Sequence, residues 1–180
     1  MKKKYFFLIF IFISFANYSF SQDVNILDGD TIKINGETIR FSGIDTPETT
    51  YYRKYKQICY LDNQKIYCGE ISKNKLIEKI GKNKINCIRE EKKDVYGRTL
   101  AECFVNDESL SSYLVKNGYA FDFKKYSKKK YDLDQAYAKK NKLGLWAMKF
   151  LYPWDWRSKI RKYRKDKTTL KEIKKWMEIK

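Results

Sequence analysis

The chain has 180 residues, 43% of them hydrophobic, a formal net charge of +17 and no histidine, which is one domain's worth of sequence with room for an appendage. The missing histidine excludes Ser-His-Asp and Cys-His catalysis and histidine-ligated zinc. Proton transfer near neutral pH must then fall to a carboxylate, a metal-bound water, or a perturbed Lys, Tyr or Cys.

Residues 1–21 are predicted to be a secretory signal peptide. Lys2-Lys3-Lys4 is a basic start, Tyr5 to Ala16 is almost wholly apolar, and Ser19-Phe20-Ser21 supplies small residues for a signal peptidase. The apolar run is shorter than the roughly 20 residues of a spanning helix. Cleavage is expected rather than anchoring, hence an exported protein, periplasmic or extracellular, without a membrane span. Removing residues 1–21 leaves 36 basic against 22 acidic residues, or +14. Such a charge attracts polyanions, nucleic acid first and anionic membrane second. An AT-rich coding sequence would give the same lysine excess, so the motifs must decide.

Val24–Leu27 is a short strand candidate. Thr31–Ile34 and Thr38–Phe41 alternate apolar and polar residues around Asn35-Gly36, a strong hairpin signal. The turn fixes the register, so Asp30 before one strand and Asp45 beyond the other can approach. Two such carboxylates repel unless a cation or proton lies between them, which outlines a hard-metal site.

Thr49–Gly69 is expected to be a polar and aromatic connection without periodicity. Ile71–Ile80 is predicted to be an amphipathic helix stopped by Gly81. Lys84–Arg89 and Thr99–Val105 are predicted strands joined by a long loop, Glu90–Arg98. A second helix opens near Ser109 and ends at Gly118; Tyr119–Phe121 is extended. Tyr131–Lys142 is the third helix. Phe150–Arg157 is aromatic and is expected to pack on that third helix. Residues 158–180 form a basic tail with Leu170, Ile173, Trp176 and Met177 near helical spacing.

Cys59, Cys68, Cys87 and Cys103 all follow the leader. An even number in an oxidising compartment favours disulfides, and four allow three pairings. Cys59–Cys68 would close a short loop, and Cys87–Cys103 would join two strands symmetric about Val95. A four-cysteine zinc site is disfavoured because no Cys-x2-Cys pair is present.

Asp28-Gly29-Asp30-Thr31, then Arg40 followed by Asp45-Thr46-Pro47-Glu48, then Asp94-Val95-Tyr96-Gly97-Arg98 together resemble the staphylococcal nuclease family. The resemblance runs from about Val24 to Trp146. It implies an α+β fold: a five-stranded OB-type Greek-key β-barrel packed with three α-helices over residues 22–149. Residues 150–180 would then be a C-terminal extension with a basic helical tail. It also implies calcium (Ca2+) as cofactor, held by Asp30, Asp45 and the backbone oxygen of Thr46, with Glu48 orienting or deprotonating the attacking water. Arg40 and Arg98 would form a phosphate clamp, their planar guanidinium groups matching phosphate oxygens bidentately. Tyr96 and Tyr126 would contact substrate. A lysine common in the family is Val95 here. The implied protein is a monomeric nuclease acting on DNA and RNA, single strands preferred. The alternatives are a catalytically weak nucleic-acid-binding module and a basic envelope-binding protein.

Overall fold

Asn35 and Gly36 both adopt left-handed backbone, φ 49° and 88°, and close the predicted hairpin with Ile34 opposite Glu37. The computed structural model describes residues 22–166 and 177–178, so the expected leader over residues 1–21 lies outside the described residues. Strand β1 (Val24–Asp28) pairs with β2 (Thr31–Ile34), which pairs with β3 (Glu37–Phe41). The two-residue strand β4 (Ile44–Asp45) follows.

The connection expected over Thr49–Gly69 is instead a second hairpin, β5 (Lys56–Leu61) and β6 (Gln64–Tyr67). Its turn residues Asp62 and Asn63 have φ 47° and 65°, which Asp and Asn tolerate better than most side chains. Gln57, Ile58 and Cys59 are buried in succession. Buried on both faces, β5 shows no two-residue alternation in its sequence.

Helix α1 (Cys68–Ile80) starts three residues earlier than predicted and buries Cys68, Ser72, Leu76 and Ile80, one residue per turn. Strand β7 (Asn86–Lys93) outruns the predicted Lys84–Arg89 and leaves only Asp94–Arg98 before β8 (Thr99–Val105). Most of β7 is exposed, which conceals its pattern. After the short β9 (Glu108–Ser109), helix α2 (Leu110–Lys116) is capped by the Ser109 hydroxyl, which accepts the Ser112 N–H at 3.2 Å. Then come β10 (Phe121–Asp122), a single turn α3 (Lys124–Ser127), α4 (Asp132–Lys140) and α5 (Pro153–Asp166).

The main sheet runs β1-β2-β3-β8-β7, with β9 on β8. β3 and β8 are parallel and the other pairs antiparallel. The α+β class stands, but the predicted closed barrel does not form among the described residues. β1 and β7 end the path without pairing to each other, β4 pairs with β10 apart, and the described residues hold five α-helices rather than three. Met177–Glu178 forms a further strand, β11, on β5. Met177 is therefore extended and not helical as expected; Leu170, Ile173 and Trp176 lie outside the described residues.

Ile32, Ile39, Phe41 and Ala101 of the sheet pack against Leu76, Leu110 and Leu114 of α1 and α2. Each Ile, Leu or Phe side chain so buried contributes about 1.5–3 kcal/mol. Both preferred disulfides are present, Cys59–Cys68 and Cys87–Cys103, with no free cysteine. Cys87 and Cys103 are register partners across β7 and β8. The aromatic run does not dock on α4. Phe150, Tyr152 and Trp154 join a cluster built on Phe121, Leu145 and the Cys59–Cys68 pair. Trp156 and Ile160 of α5, both fully buried, pack with Tyr163 against Tyr51, Tyr55 and Leu151.

Candidate active site

The Asp28–Thr31 turn lies against the start of α1 and the β4 end. A side chain at Gly29 would sit 2.8 Å from Ser72 Cβ and 2.9 Å from Thr46 Oγ1, so only glycine permits the approach. Asp30 is 3% exposed. Its Oδ1 accepts from the Thr31 hydroxyl at 2.9 Å and from Arg40 Nη1 at 2.6 Å, and its Oδ2 accepts the Thr46 N–H at 3.1 Å. Arg40 Nη2 donates to Asp45 Oδ1 at 2.8 Å. The two aspartates therefore meet as the hairpin register predicts, with the Arg40 guanidinium bridging them.

Glu48 is aimed by its backbone. Its N–H donates to Gln57 Oε1 at 3.2 Å, and its carbonyl accepts the Gln57 N–H at 3.1 Å. Gln57 is fully buried, and its Nε2 donates to Leu151 O at 2.8 Å. A Cβ at Gly69 would fall 2.4 Å from the Glu48 carbonyl carbon and oxygen. Cys68, next to Gly69, is bonded to Cys59 of β5. The first disulfide thus ties together the two elements that grip Glu48.

Sequence reasoning missed Arg157. From α5 its Nη1 donates to Glu48 Oε1 at 2.6 Å and to Asp45 Oδ1 at 3.1 Å, while Nη2 donates to Asp45 Oδ2 at 2.6 Å. Asp45 is completely buried, with both oxygens bonded to arginines. A usable signal was present: Trp156, Ile160 and Tyr163 repeat at helical spacing, and Arg157, Arg161 and Arg164 repeat one residue later.

Burial pushes the carboxyls of Asp45 and Glu48 above their usual range despite Arg157. Asp28 is pushed up to about 8, first by burial and then by the charges of Asp30 and Glu48. Burial works against the charge on Arg40, but Asp30 and Asp45 outweigh it and its pKa rises. Burial thus outweighs the neighbouring cations at Asp28, Asp45 and Glu48. The buried Thr46 Oγ1 has no hydrogen-bond partner. These are all oxygen donors, as a hard divalent cation requires. Among the described residues no three acidic groups form a ready-made metal cluster, and the bridging positions are held by Arg40 and Arg157.

Across the cleft, Asp94 organises the turn before Arg98. Its Oδ1 accepts the N–H groups of Tyr96 and Arg98, each at 2.9 Å, and its Oδ2 accepts Arg98 Nε at 2.7 Å. The Arg98 guanidinium lies 5.3 Å from the centre of the Tyr96 ring. Tyr96 and Tyr126 are 81% and 61% exposed. Asp30, Arg40, Thr46, Glu48, Tyr96, Arg98 and Tyr126 line one cleft of about 700 Å³, with Asp45 beneath it. Phe123, also missed, lines it too and meets Tyr126 edge-on at 4.9 Å.

Residues 38–148 match the family model described as staphylococcal nuclease homologue. The chain belongs to this family. Among curated relatives it is 33% identical over 131 residues to "Endonuclease YncB" of Bacillus subtilis (strain 168), covering 67% of this chain and 58% of that protein. It is 32% identical to "SPbeta prophage-derived endonuclease YokF" of the same organism, with 67% and 42% covered. It is 30% identical to "Succinoglycan biosynthesis protein ExoI" of Rhizobium meliloti (strain 1021), with 68% and 62% covered. The chain thus spans less than two thirds of these relatives' length. The matched segment ends at Met148, so α5 lies beyond it.

Proposed function

We propose that this protein is an exported, calcium-dependent nuclease that hydrolyses phosphodiester bonds of DNA and RNA, single strands preferred. The supporting observation is that Glu48, Asp30 and the arginines Arg40 and Arg98 converge on one open cleft rimmed by exposed aromatic rings. Family membership and endonuclease-named relatives support the reaction class.

Asp30, Asp45 and the Thr46 backbone oxygen would hold the cation, which supplies Lewis-acid polarisation of the phosphodiester. Glu48 accepts the proton of the attacking water; its raised pKa makes it a stronger base than a solvated glutamate. Arg98, steered by Asp94, and Arg40 present planar donors to the oxygens that gain charge as phosphorus becomes five-coordinate. Tyr96, Tyr126 and Phe123 offer ring faces to unstacked bases, which duplex DNA does not present.

Hydrolysis of heat-denatured DNA with calcium and with chelator tests the reading. Cleavage with calcium alone supports it; equal cleavage in chelator removes the metal, and no cleavage removes the nuclease. The Arg157 contacts favour a second reading, a binding module in which Glu48 is occupied. Tight binding of the oligonucleotide without turnover would select it.

A further inference from the structure

Resting on the nucleic-acid reading above, we propose that the Arg157-Arg161-Arg164 face of α5 is a binding track for the phosphates of a single strand, leading out of the cleft. At 3.6 residues per turn these three positions fall within about 60° of arc, and their rungs lie about 6 and 4.5 Å apart along the axis. Arg157, half-buried, forms the inner end against Asp45 and Glu48. Arg161 lines the same cleft, and its Nη1 donates to the Tyr51 hydroxyl at 3.2 Å. The Arg164 guanidinium lies 3.7 Å from the centre of the Tyr52 ring.

Arg161 and Arg164 are exposed and form no ion pair among the described residues. Their partners are tyrosines, a hydroxyl for Arg161 and a ring face for Arg164, which orient each guanidinium without neutralising it. Tyr51 and Tyr52 lie ring to ring at 4.3 Å, and Tyr52 is 48% exposed. Arginines and tyrosine rings therefore stand side by side along the rim, the groups that take up phosphates and bases of a single strand.

The helix also sorts its cations. The adjacent face, Trp156, Ile160 and Tyr163, is anchored on the domain, which fixes the arginine face at the cleft. Lys159 and Lys162 are exposed and fall about 160° and 140° round the wheel from Arg157. Forked arginines thus stand on the cleft side, and lysines, which act as hydrated point charges, stand away from it.

The experiment measures binding of a fluorescent single-stranded oligonucleotide of about 12 nucleotides to full-length protein in chelator, across a salt series. Arg161→Gln with Arg164→Gln should weaken binding at least about tenfold at low salt. It should also lower the slope of log K against log salt by about 1.4, two contacts at 0.7 each. Lys159→Gln with Lys162→Gln removes the same charge from elsewhere on the helix and should change affinity less than about twofold. Equal losses from the two pairs, or none from the arginines, would overturn the track while leaving the nuclease reading in place. Wild-type protein that neither binds nor cleaves the oligonucleotide would overturn both. Loss of binding only to anionic phospholipid vesicles would reassign the helix to a membrane surface and overturn the track.

Discussion

Arg157 donates to Glu48 at 2.6 Å across 109 residues of sequence, so the C-terminal helix supplies a cation at the centre of the acidic cleft. The same guanidinium holds both oxygens of buried Asp45. It thereby engages Asp45, one of the residues that would hold the cation, so cation and guanidinium would compete for that carboxylate. The two occupants make different demands. Arginine is bound to a helix that Trp156 and Ile160 anchor, whereas a free cation binds in proportion to its concentration.

Arg157→Ala should therefore destabilise the calcium-free protein by about 3–5 kcal/mol, because it strips Glu48 of its cation and leaves buried Asp45 with Arg40 alone. Calcium should recover more stability in the variant than in wild type, since ligand binding stabilises by mass action. Thermal melts with calcium and with chelator measure both. An identical calcium-induced shift in the two proteins would show that Arg157 and the cation do not compete for Asp45.

Glu48→Gln retains the Gln57 backbone clamp and removes the base. Turnover should fall by about 10²–10⁴ with little change in oligonucleotide affinity. Wild-type activity in this variant across the pH range would take Glu48 out of the chemistry.

Asp94→Asn should lower kcat by about 10–100-fold by releasing Arg98 from its bidentate hold, a loss of positioning rather than of a reacting group. Burial alone would raise the Asp94 carboxyl, but hydrogen bonds from the Arg98 backbone and side chain outweigh it and its pKa is lowered. Its folded-state pKa lies below the unfolded value of about 3.9, so its stabilising contribution is complete above that value. It is lost only as pH falls through the folded pKa. Between pH 5 and 9 the ratio of variant to wild-type kcat should be flat; a ratio that changes in this range would assign the effect to another group.

Replacing Cys87 and Cys103 by alanine should cost about 2–4 kcal/mol in denaturant melts with kcat nearly unchanged. Replacing Cys59 and Cys68 should cost a similar amount and also lower kcat. That bridge joins β5, which carries Gln57, to the helix start that carries Gly69, and both hold the Glu48 backbone. Equal kcat for the two double variants would show that the Gln57 and Gly69 contacts position Glu48 unaided.

Much of the site was legible because local chemistry dictates it. Asn35-Gly36 sets the hairpin register, and that register alone brings Asp30 toward Asp45. Asp94 closes the turn that presents Arg98 within five residues. Both disulfide pairings followed from short spacings. The β5–β6 hairpin was hidden because β5 is buried on both faces, which erases the two-residue period. The exposed end of β7 was hidden for the opposite reason. Whether the sheet closes depends on pairing between β1 and β7, strands distant in sequence, and the described strands leave it open. Arg157 was the largest omission. Its role depends on α5 docking through Trp156 and Ile160 onto Tyr51 and Tyr55, about a hundred residues away. Short-range pattern fixes turns and registers, because backbone sterics act over a few residues. Which distant cation enters an acidic cleft is decided by apolar packing between surfaces that no local pattern relates.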